Sequence, residues 1–172
     1  MRDFTAEPVD DKALRQLIDA AIQAPSAVNQ PWLFSVVRSK TLLTRISSEA
    51  KVHMLRTSAA AASHHFESLL SDSAFDIFYQ APALIVISAE AESPWAVEDC
   101  SLAAENMMLA ACAVGLGTCW IGFAQAWLGT PDGKAALKLA NTNVPIAPII
   151  VGHPKSAAAP VPRKTAKIDR IS

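Results

Sequence analysis

The hydrophobic pattern of the first forty residues predicts a helix followed by a strand. Over residues 9–24 the apolar side chains recur at helical spacing and form one stripe, made of Leu14, Leu17, Ile18, Ala21 and Ile22. Asp10 is a suitable N-cap, and Pro25 is expected to end the helix because proline disfavours helical geometry in the residue before it. Residues 32–38 are rich in aromatic and β-branched types and predict a strand.

Apolar runs and helical segments continue to alternate along the rest of the chain. Helices are expected over 41–50 and 53–70, and the wholly apolar run 83–88 predicts a strand buried on both faces. A long helix, capped by Asp99 and apolar on nearly all sides, is expected to reach about Val114. A strand over 118–123, a small helix over 132–139, a strand over 145–152 and an extended tail follow.

The interleaved elements indicate a single domain of mixed helix and sheet. The 172 residues suit one domain, 1–172, with an extended basic tail from about residue 153. No G-x-G-x-x-G follows a strand and opens a helix, so the dinucleotide-binding fingerprint is absent from the sequence.

Composition excludes several classes of protein. Hydrophobic residues make up 51% and charged residues 18%, which excludes global disorder. The net charge of -1 argues against a general nucleic-acid binder, which usually carries a basic excess. The charged first residues contain no apolar core of a secretory signal. Cys100, Cys112 and Cys119 lack Cys-x-x-Cys spacing, so reduced thiols in the cytoplasm are expected and no metal site is predicted.

The uncharged segment 106–131 is long enough to span a bilayer. Three glycines, at positions 115, 117 and 122, interrupt it, and a glycine pair of this kind ends a helix. The segment is therefore interpreted as a buried helix, a turn and a strand, and no membrane partner is expected.

Three segments carry candidate binding chemistry, and each also has an ordinary structural explanation. The loop A-P-S-A-V-N-Q-P-W (24–32) offers a hydroxyl and two amides that suit the edge of a flat heteroaromatic ligand, although the same residues dominate ordinary turns. The segment G-L-G-T-C-W-I-G-F (115–123) permits close backbone approach to a ligand. A helix stop explains Gly115 and Gly117, but it explains Gly122 less well. Cations at both ends of the chain could hold a phosphate or belong to a solvated tail.

These segments lie within a longer series that resembles the FMN-dependent nitroreductase family in its short form. Five stretches match in order and cover nearly the whole chain: R-D-F and P-V (2–9), A-P-S-A-V-N-Q-P-W (24–32), A-P (81–82), the helix 99–111 with G-L-G-T-C-W-I-G-F (115–123), and the closing P-I-A-P-I-I-V-G-H-P (145–154).

The resemblance implies an α+β fold, a three-layer sandwich in which helices flank a central mixed, mostly antiparallel sheet. It also implies a homodimer, with the long apolar helix at the dimer interface and FMN bound there, so that each site draws on both chains. Along the flavin ring edge it implies contacts from Pro25, Ser26 and Ala27, together with Asn29 or Gln30.

The resemblance also assigns roles to residues from the two ends of the chain and from the glycine-rich segment. Arg2 is implied near the pyrimidine end of the flavin or its phosphate, and Arg163 and Lys164 at the phosphate. The backbone at Ile121 and Gly122 is implied to face the hydride-accepting nitrogen. Because FMN performs the redox chemistry, no catalytic protein residue is assigned.

The implied function is a cytoplasmic NAD(P)H-dependent flavin oxidoreductase with ping-pong hydride transfer. NADH or NADPH is the reductant, and the acceptor is a small molecule such as a nitroaromatic or a quinone. Two alternatives stay open: a flavin-binding protein without turnover, such as a redox sensor or specialised flavin-handling relative, and a cofactor-free dimeric interaction module.

Overall fold

An antiparallel sheet lies at the centre of the computed structural model, which describes residues 1–27, 30–57, 64–157 and 160–171. Within these residues the strands are β1 (Trp32–Val37), β2 (Ala83–Ala89), β3 (Gly117–Trp120) and β4 (Val144–Gly152). They follow the order β1-β2-β4-β3, and every neighbouring pair is antiparallel. The strands predicted at 32–38, 83–88 and 145–152 are thus confirmed to within one residue at each end.

Helices cover both faces of the sheet. In chain order they are α1 (Asp11–Ala21), α2 (Lys40–Thr57), α3 (His64–Ser71), α4 (Ala96–Ala113), α5 (Gly122–Leu128) and α6 (Pro131–Ala136). None of the helices within the described residues is long and apolar enough to cross a membrane.

Strand β2 separates two hydrophobic cores because its side chains alternate between the faces of the sheet. Ile85 and Ile87 belong to the core that contains α1 and α4, whereas Leu84 and Val86 belong to the core under α2 and α5. All seven residues of β2 are buried, as predicted from its continuous apolar run. The helix–sheet–helix arrangement confirms the predicted α+β sandwich.

The start of α1 also agrees with the sequence prediction. The side chain of Asp10 accepts a hydrogen bond from the backbone N–H of Ala13 at 2.6 Å and so caps the helix. Val9 and Leu14 are buried in the same core and bracket this cap as a hydrophobic staple. The helix ends at Ala21, earlier than the predicted residue 24.

Other predicted boundaries are wrong in detail, among them the end of the small helix expected over 132–139, which is Ala136. The helices expected over 41–50 and 53–70 are divided elsewhere, because α2 continues to Thr57 and α3 begins at His64; residues 58–63 lie outside the described residues. Helix α4 begins three residues before Asp99, so this aspartate lies in the first turn rather than at the cap, which is Trp95.

The strand expected over 118–123 stops at Trp120, and the chain then turns at Ile121 into α5, a helix that the sequence analysis did not predict. Gly122 is therefore the first residue of α5 and does not lie in a strand.

The two ends of the chain meet beside β4. Phe4 pairs with Pro154 in an isolated bridge, and the N–H of Thr5 donates to the carbonyl of His153 at 2.8 Å. This pairing holds the N-terminal segment next to the sheet. Beyond it, residues 160–171 are exposed and form no helix or strand.

Candidate functional site

The loop between α1 and β1 is held by a buried carboxylate from a distant part of the chain. Asp99, only 5% exposed, accepts a hydrogen bond from the hydroxyl of Ser26 at 2.9 Å and from the backbone N–H of Ala27 at 3.3 Å. The indole N–H of Trp32 donates to the main-chain carbonyl of Asp99 at 3.0 Å. Both ends of the loop are therefore fixed to the first turn of α4, where the helix dipole favours a negative charge.

The loop itself is tightened by the same hydroxyl. The backbone N–H of Gln30 donates to the Ser26 oxygen at 3.1 Å, and Gln30 has a positive φ of 49°. Pro25, Ala27 and Gln30 are exposed and Ser26 is half-buried, so the outer side of the loop is available to a ligand. Asn29, the other amide predicted to face a ring edge, lies outside the described residues.

A second group of predicted residues lies where β3 passes into α5. The side chain of Ile121 is buried, and its N–H donates to the carbonyl of Pro148 at 2.8 Å, which fixes the backbone against β4. A Cβ added to the next residue, Gly122, would meet no atom of the described chain within 4 Å. The glycine therefore leaves open space beside a rigid backbone, which suits the close approach of a flat ligand.

A cation lies next to the strand that leads to this glycine. Arg2 contacts the thiol of Cys119, and its guanidinium lies 5.6 Å from the ring centre of Tyr79. The hydrogen bond with Cys119 and, to a smaller degree, Tyr79 raise the pKa of Arg2 above its usual value. The structure thus brings Arg2 together with the segment that holds Ile121 and Gly122.

The tail cations are not connected to these groups within the part of the chain that the structure describes. Arg163 and Lys164 are exposed, and no hydrogen bond or ion pair joins them to another described residue. The linings of two cavities, of about 640 and 580 Å³, include none of the ten predicted residues, although the second cavity is lined by Gly115 and Gly117 of the glycine-rich segment. Among the described predicted residues, Ile121 is buried, whereas Pro25, Ala27, Gln30 and Gly122 are exposed in the single chain.

The buried thiol of Cys100 is not an activated nucleophile. Burial, together with the neighbouring charge of Asp99, raises the pKa of Cys100 to about 12, so its thiol stays protonated at neutral pH. The thiol of Cys119 donates to the carbonyl of Trp120 at 3.7 Å. No cluster of metal-ligating side chains is found among the described residues. What the arrangement offers is shape, hydrogen-bonding groups and a fixed cation.

Two residues of this arrangement were missed in the sequence analysis. The sequence predicts Asp99 as a helix cap, whereas the folded chain buries its carboxylate against Ser26 and Ala27, and a buried carboxylate needs such donors. Nothing in the sequence around Tyr79 indicates its contact with Arg2, since only the fold brings the two residues together.

The sequence and the fold are both similar to those of known proteins. A model of the nitroreductase family matches residues 1–153. A nitroreductase with bound FMN from Bacteroides fragilis is 24% identical, with a TM-score of 0.82 over 99% of this chain and 91% of that chain. A nitroreductase with bound FMN from Desulfitobacterium hafniense is 23% identical, with a TM-score of 0.83 over 99% of this chain and 92% of that chain.

A third structure has a slightly higher sequence identity. It is an FMN-dependent nitroreductase from Clostridium difficile, 25% identical, with a TM-score of 0.67 over 92% of this chain and 84% of that chain. The agreement extends over nearly the whole length of each protein, so the similarity concerns the complete fold and not one motif.

Proposed function

The chain belongs to the nitroreductase family, and on this premise we propose that it is an FMN-dependent oxidoreductase that transfers electrons from NADH or NADPH to a small organic acceptor. The family match confirms the resemblance seen in the sequence and the predicted class of enzyme. Two similar structures are described with bound FMN, and others bear names that refer to NADH or NAD(P)H.

The observation that carries the proposal is the open space over Gly122. A planar ring can approach the backbone only where no side chain projects, and here the neighbouring residue Ile121 is buried and bonded to β4, so the backbone does not move away. FMN, when bound, would supply the two-electron redox chemistry, and the chain's residues would bind and orient it.

The chain's own residues bind and orient the cofactor. Arg2 presents a permanent positive charge beside this segment, which favours the phosphate or an electron-rich ring edge. The loop around Ser26 offers hydrogen-bonding groups to the ring edge, with Pro25 and Ala27 beside it and Gln30 or Asn29 following. Arg163 and Lys164 supply further positive charge for the phosphate.

Reductant and acceptor use the same open face in turn. If both bind over Gly122, where an added Cβ meets open space, the oxidised nicotinamide leaves before the acceptor binds. A flat acceptor such as a nitroaromatic or a quinone fits an opening that admits planar rings. A cytoplasmic location stays a prediction from the sequence.

We further propose that two copies of the chain form the site. Leu102 and Leu109, seven residues apart on α4, are 45% and 60% exposed and lie on one face of the helix. The tail adds exposed Val161, Ile168 and Ile171. A second copy of the chain that covers these side chains would remove an exposed apolar face from water.

Filling the space over residue 122 is expected to block the cofactor without unfolding the protein. Gly122→Val should raise the dissociation constant for FMN at least tenfold, measured by quenching of flavin fluorescence. Stability should change by only about 0.5 kcal/mol, because a Cβ at this position enters open space. Ala135→Val, which adds a similar side chain at an exposed position in α6, is the control. Unchanged affinity in the glycine variant would exclude this face as the flavin site.

Initial-rate kinetics test the order of substrate binding. With NADH or NADPH varied at several fixed concentrations of a quinone, double-reciprocal plots should give parallel lines, because reductant and acceptor never occupy the site together. Intersecting lines would require both to be bound at once and would contradict a shared face. Tight FMN binding with no turnover of any acceptor would favour the flavin-binding alternative instead.

Light scattering tests the two-chain site. The wild type should have twice the chain mass of 18.3 kDa, and Leu109→Glu should be monomeric because two carboxylates would then meet within the interface. Val52→Glu, a change at a similarly exposed position on α2, should remain a dimer. The monomeric variant should also lose FMN; a monomer with undiminished FMN affinity would show that one chain suffices. A stable dimer without affinity for FMN would favour the interaction-module alternative.

A further inference from the structure

The hydroxyl of Ser26 has a defined hydrogen-bonding direction. It has one proton and two lone pairs. The carboxylate oxygen of Asp99, 2.9 Å away, can only accept, so the proton points at Asp99. The N–H of Gln30, 3.1 Å away, can only donate, so it occupies one lone pair. One lone pair is left, and toward any further partner Ser26 is therefore an acceptor.

Asp99 is itself held so that this direction cannot reverse. Its second carboxylate oxygen accepts from the N–H of Ala27 at 3.3 Å, and its carbonyl accepts from the indole of Trp32 at 3.0 Å. The side chain is 5% exposed, which leaves little access for water to compete for the hydroxyl proton. Loss of these donors would leave a buried carboxylate without hydrogen bonds, which costs free energy of folding. The folded state therefore keeps the donors in place.

We propose that Asp99 sets the polarity of the Ser26 hydroxyl, so that the loop selects a ligand edge that presents an N–H donor. The inference rests on the proposed function, because the ligand is then the flavin of that site. Oxidised isoalloxazine carries one N–H on its pyrimidine edge, at N3, between two carbonyl groups. Ser26 thus accepts from N3–H, and Asp99 acts as a positioning residue through it.

The amide variant Asp99→Asn reverses the polarity with little change in shape. The amide oxygen must face the N–H of Ala27, so the amide NH₂ faces Ser26 and donates to it. Ser26 then accepts from both the new side-chain amide and the N–H of Gln30, and its own proton turns outward. An outward O–H opposes N3–H, so the variant should lose its preference for a flavin that carries this proton.

The experiment compares FMN with 3-methyl-FMN, in which a methyl group replaces the N3 proton. Dissociation constants are measured by fluorescence titration of the full chain after any co-purified flavin has been removed. The wild type should prefer FMN by roughly tenfold or more, as expected for one hydrogen bond plus the steric cost of the methyl group. The ratio of the dissociation constant of 3-methyl-FMN to that of FMN should fall several-fold in Asp99→Asn. It should also fall in Ser26→Ala, which removes the acceptor.

Comparison of the ratios isolates the hydrogen bond, because the steric cost of the methyl group is common to all the proteins. A loss of overall stability would weaken both flavins alike and leave the ratio unchanged. Glu98→Gln neutralises an exposed carboxylate in the same turn of α4 and should keep the wild-type ratio.

The outcomes separate the two proposals. If the wild type binds both flavins equally, or if both variants keep the wild-type ratio, Ser26 does not accept from N3–H and the inference is overturned. If the wild type binds neither flavin, the proposed function fails together with the inference. Should Asp99→Asn prove unstable, Ser26→Ala decides the matter, because it removes the accepting hydroxyl itself and leaves the N–H of Ala27 as a donor to Asp99.

Discussion

The candidate site depends on the hydrogen bonds that the buried carboxylate of Asp99 accepts from Ser26 and Ala27. A buried charge must find hydrogen-bond donors, and those of Asp99 are the hydroxyl of Ser26 and the N–H of Ala27, in the loop between α1 and β1. Satisfying the charge therefore fixes the loop, and a fixed loop can present a defined edge to a ligand. The same contact orients the one hydroxyl in the loop, so that fold stability and recognition share a single set of hydrogen bonds. Removal of the carboxylate would affect both.

The sheet positions the other half of the site. Because β2 is buried on both faces, helices must cover both sides, and α5 begins directly after β3 in order to cover one of them. The chain enters this helix through Ile121, which is bonded to β4, and Gly122, which is open to solvent on one side. The opening thus follows from the way the core is closed. Arg2 reaches the same strand because the N-terminal segment pairs with the chain just beyond β4.

Local patterns in the sequence were sufficient to predict the elements that are determined by interactions between residues close in the chain. The apolar run of β2, the cap at Asp10 and the stripe of α1 each depend on neighbours within a few residues, and each was predicted. Helix α5 was missed because it has only seven residues and follows a strand through a glycine, a pattern that also suits a continuing strand. The partnership of Ser26 with Asp99 spans 73 residues, so only the folded chain shows that the aspartate is not a cap. Most of the predicted site residues came from an ordered series of family motifs, and the structure adds what each side chain bonds to.

A flavin site in this chain is tested first by the visible absorption spectrum of the purified protein, with mass spectrometry of the compound that heat releases. We expect a flavin spectrum and release of FMN, with about one FMN for each chain. A colourless protein that also fails to take up added FMN would contradict this expectation, because the loop, the open glycine and the cation would then be ordinary parts of a fold without a cofactor.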